Sequence, residues 1–163
     1  MQGTLERLRS LACSSSERSV RAREVAEVIR EARGYHWVGL YDVTSTEIAA
    51  FAWTGTKAPT FPRFPITRGL TGAAVASRRQ VVVQDVTRDP RYLTTFGATR
   101  AEAIFVVASP IDGRIIGTID VESERPNAFT PEDEAFLASC AETLVSLWAA
   151  PPNTALEPTP TAP

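Results

Sequence analysis

Apolar residues near the start of the chain recur every three or four positions, which predicts a helix with one buried face. The recurring positions are Val20, Val25, Val28, Ile29 and Ala32. The serine-rich residues 14–17 offer side-chain oxygens that cap a helix start, and Gly34 supplies a natural end. Leucines at similar spacing further upstream indicate a shorter helix, so we expect residues 1–16 to form a helical extension.

From Tyr35 onward the pattern changes to short aromatic and β-branched runs separated by turn residues, which is typical of antiparallel strands. The predicted strands cover residues 36–43, 48–53, 81–83, 104–107 and 115–123. Residues 55–65 contain glycine and three prolines and predict a loop. Residues 69–77 predict a short alanine-rich helix that begins at a glycine-hinged turn, and Asp112-Gly113 predicts a hairpin turn.

The last helix has a clear start signal. Thr130 is the predicted N-cap, Pro131 occupies the first helical position, and two acids follow in the first turn. Its apolar stripe consists of Phe136, Leu137, Cys140, Leu144, Leu147 and Trp148. Residues 151–163 are rich in Pro and Thr and predict a disordered tail, which leaves residues 17–150 as one domain.

The order of elements favours an α+β fold. A helix precedes two strands, a small helix, another strand, two further strands and a final helix. Because no regular β–helix–β alternation occurs, we expect an antiparallel central sheet with the first and last helices packed on one face.

Composition narrows the possible partners. The chain has 163 residues, a net charge of −2 and 44% hydrophobic residues, which suit one domain with a single core and give no basic surface for nucleic acid. No apolar run approaches the roughly 20 residues that span a bilayer, and no signal peptide is visible, so we expect a cytoplasmic protein that does not bind membranes. The two cysteines, Cys13 and Cys140, are expected to be buried free thiols.

Few residues carry obvious chemistry. His36 is the single histidine and lacks ligating neighbours, so no metal site is expected. The glycines of Gly69-Leu70-Thr71-Gly72 either aim backbone amides at an anion or simply permit a tight turn, and the turn is the favoured interpretation. Strand alternation places Asp120 and Glu122 on one face, where they either line a pocket or face water.

Several short motifs, taken in order, resemble those of a GAF domain over about residues 20–149. They are the segments at 37–41 (WVGLY), 69–72 (GLTG), 83–86 (VQDV), 112–117 (DGRIIG) and 129–134 (FTPEDE). The resemblance implies an antiparallel sheet with the terminal helices on one face, and short helices and loops that form a pocket on the other. It also implies a homodimer formed through the terminal helices.

Within this family, the chain is most similar to the free methionine-(R)-sulfoxide reductases, which use cysteine thiolates. By this resemblance, the three cysteine positions of those enzymes fall on Phe61, Thr71 and Thr95. A threonine hydroxyl is barely ionised at neutral pH and cannot form a disulfide. We therefore expect no reductase activity, no catalytic residues and no cofactor.

The same resemblance assigns a ligand site. Glu102, Asp120 and Glu122 fall where the reductases hold the amino group of their substrate, and Trp37 falls at an aromatic wall of that pocket. We expect Tyr41 to form a further apolar wall. Carboxylates and a Trp face both attract an ammonium group. The sequence thus predicts a stand-alone, non-catalytic domain that binds a small amine-bearing metabolite.

Other functions remain as alternatives. One is a reductase-like enzyme, and another is an interaction module with no ligand. A cyclic-nucleotide site is disfavoured because Glu122-Ser123 stands where that class carries Asn-Lys, and a covalent bilin is disfavoured because the central loops lack cysteine.

Overall fold

The computed structural model describes residues 1–149, so the tail predicted at 151–163 lies outside the described residues. Five α-helices and six strands make up this part of the chain. In chain order they are α1 (Gln2–Ala12), α2 (Arg18–Arg33), β1 (Trp37–Val43), β2 (Glu47–Thr54), β3 (Arg63–Pro65), α3 (Gly69–Ser77), β4 (Val81–Val83), β5 (Ala101–Ala108), β6 (Ile115–Ser123), α4 (Pro131–Thr143) and α5 (Val145–Ala149). None of the described helices is both long and apolar enough to cross a membrane.

The six strands form one antiparallel sheet in the order β3-β2-β1-β6-β5-β4. Two hairpins, β1–β2 and β5–β6, are joined in the middle of the sheet by the pairing of β1 with β6. The α+β fold with an antiparallel sheet is thereby confirmed.

The sheet has helices on both faces. On one face α2, α4 and α5 pack against the strands and α1 packs on α2 and α4, and this layer contains most of the buried apolar side chains, among them Leu8, Val25, Ile29, Ile119 and Leu137. Each such side chain contributes roughly 1.5–3 kcal/mol through its burial. On the other face lie α3 and the long loops, which cover the middle strands.

Two strand boundaries differ from the prediction. The segment predicted as a loop at 55–65 contains β3, which pairs with β2 at the edge of the sheet. The prolines of this segment, among them Pro65, favoured a loop in the sequence analysis. An edge strand tolerates proline, because the side of its backbone that faces no neighbouring strand needs no N–H donor. Strand β5 begins at Ala101 rather than at residue 104, so Glu102 lies inside the strand.

Helix ends follow the sequence signals in part. Gly34 ends α2 in the left-handed conformation with φ of 68°, and Thr130 forms a capping box with Asp133 at the start of α4. The predicted cap of α2 is wrong, because Glu17 is the N-cap and makes no side-chain hydrogen bond. The last helix is interrupted at Leu144, after which the chain continues as α5.

Two expectations of burial are also wrong. Val20 points away from the sheet and remains 47% exposed, although its spacing placed it on the apolar stripe. Cys13 ends α1 and is exposed, with its Sγ 3.6 Å from the Ser146 hydroxyl, whereas Cys140 is buried as expected. Helical spacing defines a face, but the sheet covers only part of that face.

Candidate functional site

The candidate site lies on the central strands, on the face covered by α3. Pairing places Trp37 of β1 opposite Glu122 of β6, and Glu122 opposite Glu102 of β5. Because directly opposite residues share a face, one row of the sheet carries an indole and two carboxyl groups. The neighbouring row on this face carries Asp120, opposite Gly39. The structure therefore brings together the three acids that the sequence singled out.

All three carboxyl side chains are buried. Glu102, Asp120 and Glu122 are 6%, 3% and 2% exposed, respectively. The alternative in which Asp120 and Glu122 face water is therefore wrong. Strand alternation correctly placed both side chains on one face of the sheet. It does not show whether another element covers that face, and here α3 and the loops cover it.

Threonine hydroxyls supply the hydrogen bonds to these acids. Thr71 donates to Asp120 Oδ2 at 2.8 Å, Thr95 donates to Glu122 with 2.9 Å to each oxygen, and Thr99 donates to Glu122 Oε2 at 2.5 Å. The sequence analysis did not identify these threonines as donors. They lie outside the sheet, far along the chain from their acceptors, so no periodic pattern could have indicated them.

The carboxyl cluster has no basic partner and is incompletely hydrogen-bonded. Within residues 1–149, none of the ion pairs involves Glu102, Asp120 or Glu122. Asp120 Oδ1 is buried without any hydrogen-bond partner. An unsatisfied buried acceptor costs about 1–3 kcal/mol, and more if it is charged, so the site favours an additional donor.

Burial raises the pKa of each of these acids. The pKa of Asp120 rises from 3.8 to about 7, because the loss of hydration outweighs the lowering effect of the neighbouring Thr118 and Thr71 hydroxyls. The pKa of Glu102 lies well above its ordinary value, first through burial and then through the nearby Glu122 and Asp120 carboxyls. Burial also raises the pKa of Glu122, against the opposing effect of its threonine donors. A cation in the site would favour the ionised forms.

The two aromatic residues predicted for the site occupy different places. Tyr41 lines the cavity, whereas Trp37 lies outside the lining and packs on Phe96 with a centroid distance of 5.6 Å. Trp37 also supports Tyr41, at 6.5 Å between centroids. Gly39 permits this arrangement, because a Cβ there would lie 2.2 Å from the Trp37 ring.

The cavity between these groups is small. Its volume is about 20 Å³, which is close to the space that one water molecule needs. Sites for small molecules typically measure about 300–1,000 Å³. Phe61, Leu93 and Thr95 close the cavity from two loops. A metabolite can therefore enter only when these loops move outward.

Side-chain contacts hold the loop that carries Thr95. The Thr95 hydroxyl contacts Glu122 and also lies 3.1 Å from the Tyr92 hydroxyl, and Thr60 donates to the Thr95 carbonyl. Phe96 of the same loop packs on Trp37. Opening this loop would break these side-chain contacts without disturbing a pairing of strands in the sheet.

A larger groove of about 760 Å³ lies elsewhere, between the end of α2 and the residues after β6. It includes His36, whose Nε2 is 3.4 Å from Glu124 Oε1, but none of the five predicted site residues. In the part of the chain that the structure describes, no three His, Cys, Asp or Glu side chains are arranged to hold a metal ion.

A comparison with models of protein families matches the GAF domain over residues 17–146. The chain belongs to the GAF domain family. GAF domains are ligand-binding domains with sensing and regulatory roles, which is consistent with a covered cavity on one face of the sheet.

Two curated proteins show similarity to this GAF domain. Protein YtsP of Bacillus subtilis is 28% identical over 109 residues, which cover 67% of this chain and 66% of that protein, slightly under two thirds of its length. GAF domain-containing protein A of Dictyostelium discoideum is 26% identical over 144 residues, which cover 88% of this chain and 89% of that protein.

Solved structures of two free methionine-R-sulfoxide reductases are also similar to this GAF domain. The enzyme of Neisseria meningitidis, in complex with its substrate, is 30% identical with a TM-score of 0.81, covering 91% of this chain and 87% of that one. The type II enzyme of Thermoplasma acidophilum is 29% identical with a TM-score of 0.75, covering 86% of this chain and 94% of that one.

The positions assigned to the reductase cysteines by resemblance are brought together in this GAF domain. Phe61, Thr71 and Thr95 all line the small cavity beside the acids. Cys13 and Cys140 do not line it, since Cys13 ends α1 and Cys140 belongs to the core beneath the helical layer.

Proposed function

We propose that this GAF domain is a cytoplasmic, non-catalytic regulatory domain that binds a small metabolite carrying a primary amine. The observation that carries the proposal is a set of three buried carboxyl groups without a basic partner, one of which has an unpartnered oxygen, Asp120 Oδ1. Buried charges are stable in proteins only when they are paired, so the cluster either keeps its protons or binds a cation.

An ammonium group suits this site in charge and in hydrogen bonding. It presents three N–H donors, which can satisfy Asp120 Oδ1 and replace the hydroxyl that Thr95 gives to Glu122. The Tyr41 ring, backed by Trp37, adds cation–π attraction at the cavity wall. The similar Neisseria reductase, whose structure contains its substrate, supports a small-molecule ligand for this fold.

The absence of catalysis is proposed from the placement of the thiols. Nucleophilic attack and disulfide exchange require an accessible thiolate near the substrate. Burial raises the pKa of Cys140 to about 12, and Cys13 lies at the end of α1, away from the cavity. The cavity instead contains the Thr71 and Thr95 hydroxyls, which are already engaged with carboxylates.

The binding proposal is tested by thermal shift and calorimetry with primary amines, amino acids, methionine sulfoxides, cyclic nucleotides and purines. A ligand at 100 times its dissociation constant should stabilise the domain by about 2.7 kcal/mol. Asp120→Asn and Glu122→Gln should abolish the response to an amine, while Glu142→Gln, an exposed acid on α4, should preserve it. The proposal fails if no amine stabilises the domain, or if Asp120→Asn binds as tightly as the unsubstituted protein.

Reductase activity is the second candidate, favoured by the 30% identity and TM-score of 0.81 to the Neisseria enzyme. The test is turnover of free methionine-(R)-sulfoxide with thioredoxin or dithiothreitol. We expect none. Turnover that disappears in Cys13→Ser or Cys140→Ser would establish the enzyme and refute the non-catalytic assignment.

A third candidate is an interaction module without a ligand, favoured by a cavity of only about 20 Å³. For either non-catalytic candidate we also propose a homodimer formed by the terminal helices. Val20, which is 47% exposed on α2, is the apolar residue to test. Sedimentation should show a dimer that Val20→Glu weakens, and a monomer at all concentrations would exclude this arrangement.

A further inference from the structure

A second concave surface lies where the β1–β2 turn, the C-terminal turn of α3 and the β5–β6 hairpin meet. We call it the hairpin groove, and its lining residues lie within 43–45, 66, 75–78 and 112–115. Its volume is about 400 Å³, within the range of about 300–1,000 Å³ that is typical of small-molecule sites. None of these lining residues belongs to the acidic cavity, so the groove has a chemistry of its own.

The hairpin groove has an apolar surface. Four aliphatic side chains from separate parts of the fold line it, namely Val43 at the end of β1, Ile66 after β3, Val75 in α3 and Ile115 at the start of β6. Ile115 is buried, while the other three are only half-buried. An apolar group in the groove would remove these side chains from water, which favours its binding.

Two arginines give the groove positive charge. Arg114 is 77% exposed, and its Nε lies 3.8 Å from Oδ2 of Asp112, the one acid among the lining residues. The Oδ1 atom of Asp112 accepts the Arg114 amide at 3.0 Å, which holds the acid to the hairpin. Within the described residues, the Arg78 guanidinium donates only to the Gly113 carbonyl, at 2.5 Å. Both guanidinium groups therefore keep free N–H donors, and two arginines outnumber one aspartate in a chain whose net charge is negative.

The backbone at Arg78 also points to a role for this side chain. Arg78 ends α3 with φ of 57°, in the left-handed region that favours glycine. A non-glycine residue in this region is uncommon and costs free energy, and such strain is frequent at functional sites. A glycine would end the helix without this cost, but it would leave the groove with a single guanidinium group.

We propose that the hairpin groove binds a free monocarboxylate with a short apolar chain. Arg78 and Arg114 share the carboxylate, because guanidinium groups form parallel N–H···O bonds to it, and the chain covers the aliphatic residues. A single negative charge matches the groove, since a second one would meet Asp112. This site goes beyond the proposed function, because it lies on another surface and takes a ligand of opposite charge.

The test is an NMR titration of the isotope-labelled full chain with butyrate, hexanoate and octanoate, each compared with the alcohol of the same length. Each added methylene should tighten carboxylate binding about threefold to fourfold while apolar surface remains uncovered. Each carboxylate should bind about tenfold more tightly than its alcohol. The amide signals of Ala76 and Ile115 should shift. Carboxylates that bind no more tightly than alcohols, or that shift the signals of Thr71 and Asp120 instead, overturn the proposal.

A matched pair of arginine variants tests the charge. Arg114→Gln removes a guanidinium group from the groove, whereas Arg79→Gln removes an exposed one that does not line it. The affinity for octanoate should fall about tenfold in Arg114→Gln and stay unchanged in Arg79→Gln and in Asp120→Asn. An unchanged affinity in Arg114→Gln, or an equal loss in both arginine variants, would overturn the assignment to the groove.

A membrane surface is distinguished from a free carboxylate by sedimentation with phosphatidylglycerol vesicles. We expect no binding of the chain to these vesicles. Binding to vesicles together with a lack of binding to free carboxylates would overturn the proposal. All of these outcomes leave the proposed function of the acidic cavity intact, because the two sites share no lining residue.

Discussion

Raising the pH should destabilise the ligand-free domain between pH 5.5 and pH 7, a range in which many proteins are near their greatest stability. The reason is Asp120, whose pKa is about 7 in the folded protein and 3.8 when unperturbed. Between these values the folded protein holds a proton that the unfolded chain has released. The contribution of Asp120 to the free energy of unfolding therefore falls as the pH rises through this window and levels off above about pH 7.

The magnitude follows from the size of the shift. A difference of roughly three pKa units corresponds to about 4 kcal/mol over the whole window, and the part between pH 5.5 and pH 7 is about 2 kcal/mol. The raised pKa values of Glu102 and Glu122 act in the same direction. For a domain of this size, a loss of 2 kcal/mol lowers the melting temperature by roughly 4–8 °C.

The assay is urea and thermal unfolding at pH 5.5, 7.0 and 8.0. Asp120→Asn should flatten the pH dependence by about 2 kcal/mol, because the amide does not titrate. Glu142→Gln, which changes an exposed acid, should keep the slope of the unsubstituted protein. If the unsubstituted protein is as stable at pH 8.0 as at pH 5.5, or if Asp120→Asn shows the same slope, the assignment of a buried, protonated Asp120 is wrong.

Three further predictions follow from individual contacts. The affinity for an amine should rise by up to tenfold per pH unit from pH 5.5 to pH 7 and then level off, because an ammonium binds the ionised form of Asp120. Calorimetry in two buffers of different ionisation enthalpy should detect the proton that Asp120 releases on binding. An affinity that does not change with pH would count against the acidic site. Gly117→Ala should lower the free energy of unfolding by about 2 kcal/mol or more in urea, because a Cβ there would lie 1.9 Å from Trp148 Nε1. An unchanged free energy of unfolding would show that Trp148 packs differently. Thr130→Ala should cost about 0.5–2 kcal/mol through loss of the capping box with Asp133, with Thr130→Ser as the variant that restores the melting temperature.

The sequence predicted those elements whose signals are local. The N-cap at Thr130, the helix stop at Gly34 and the turn at Asp112-Gly113 each depend on residues a few positions apart, and each lies where it was predicted. Local signals were misleading where a neighbouring element decides the outcome. Strand β3 exists because β2 pairs with it, and Val20 is exposed because no element covers that part of α2.

The candidate site shows the same division. Alternation along β6 placed Asp120 and Glu122 on a common face, and the resemblance to GAF domains added Glu102. Whether that face meets water or a cavity depends on α3 and the loops, which approach from distant parts of the chain. Thr71 is 49 positions from Asp120, and Thr95 is 27 positions from Glu122.

By itself, the sequence determined the order of the main helices and of every strand except β3, the common face of two acids and the lack of cysteine in the central loops. The tertiary structure alone decided that the acids are buried without a basic partner, that threonines are their donors and that the first turn of α3 lines the same cavity. Burial and hydrogen-bond pairing depend on distances between residues far apart in the chain. Those distances are set by the packing of α3 and the loops on the sheet, which no local pattern encodes.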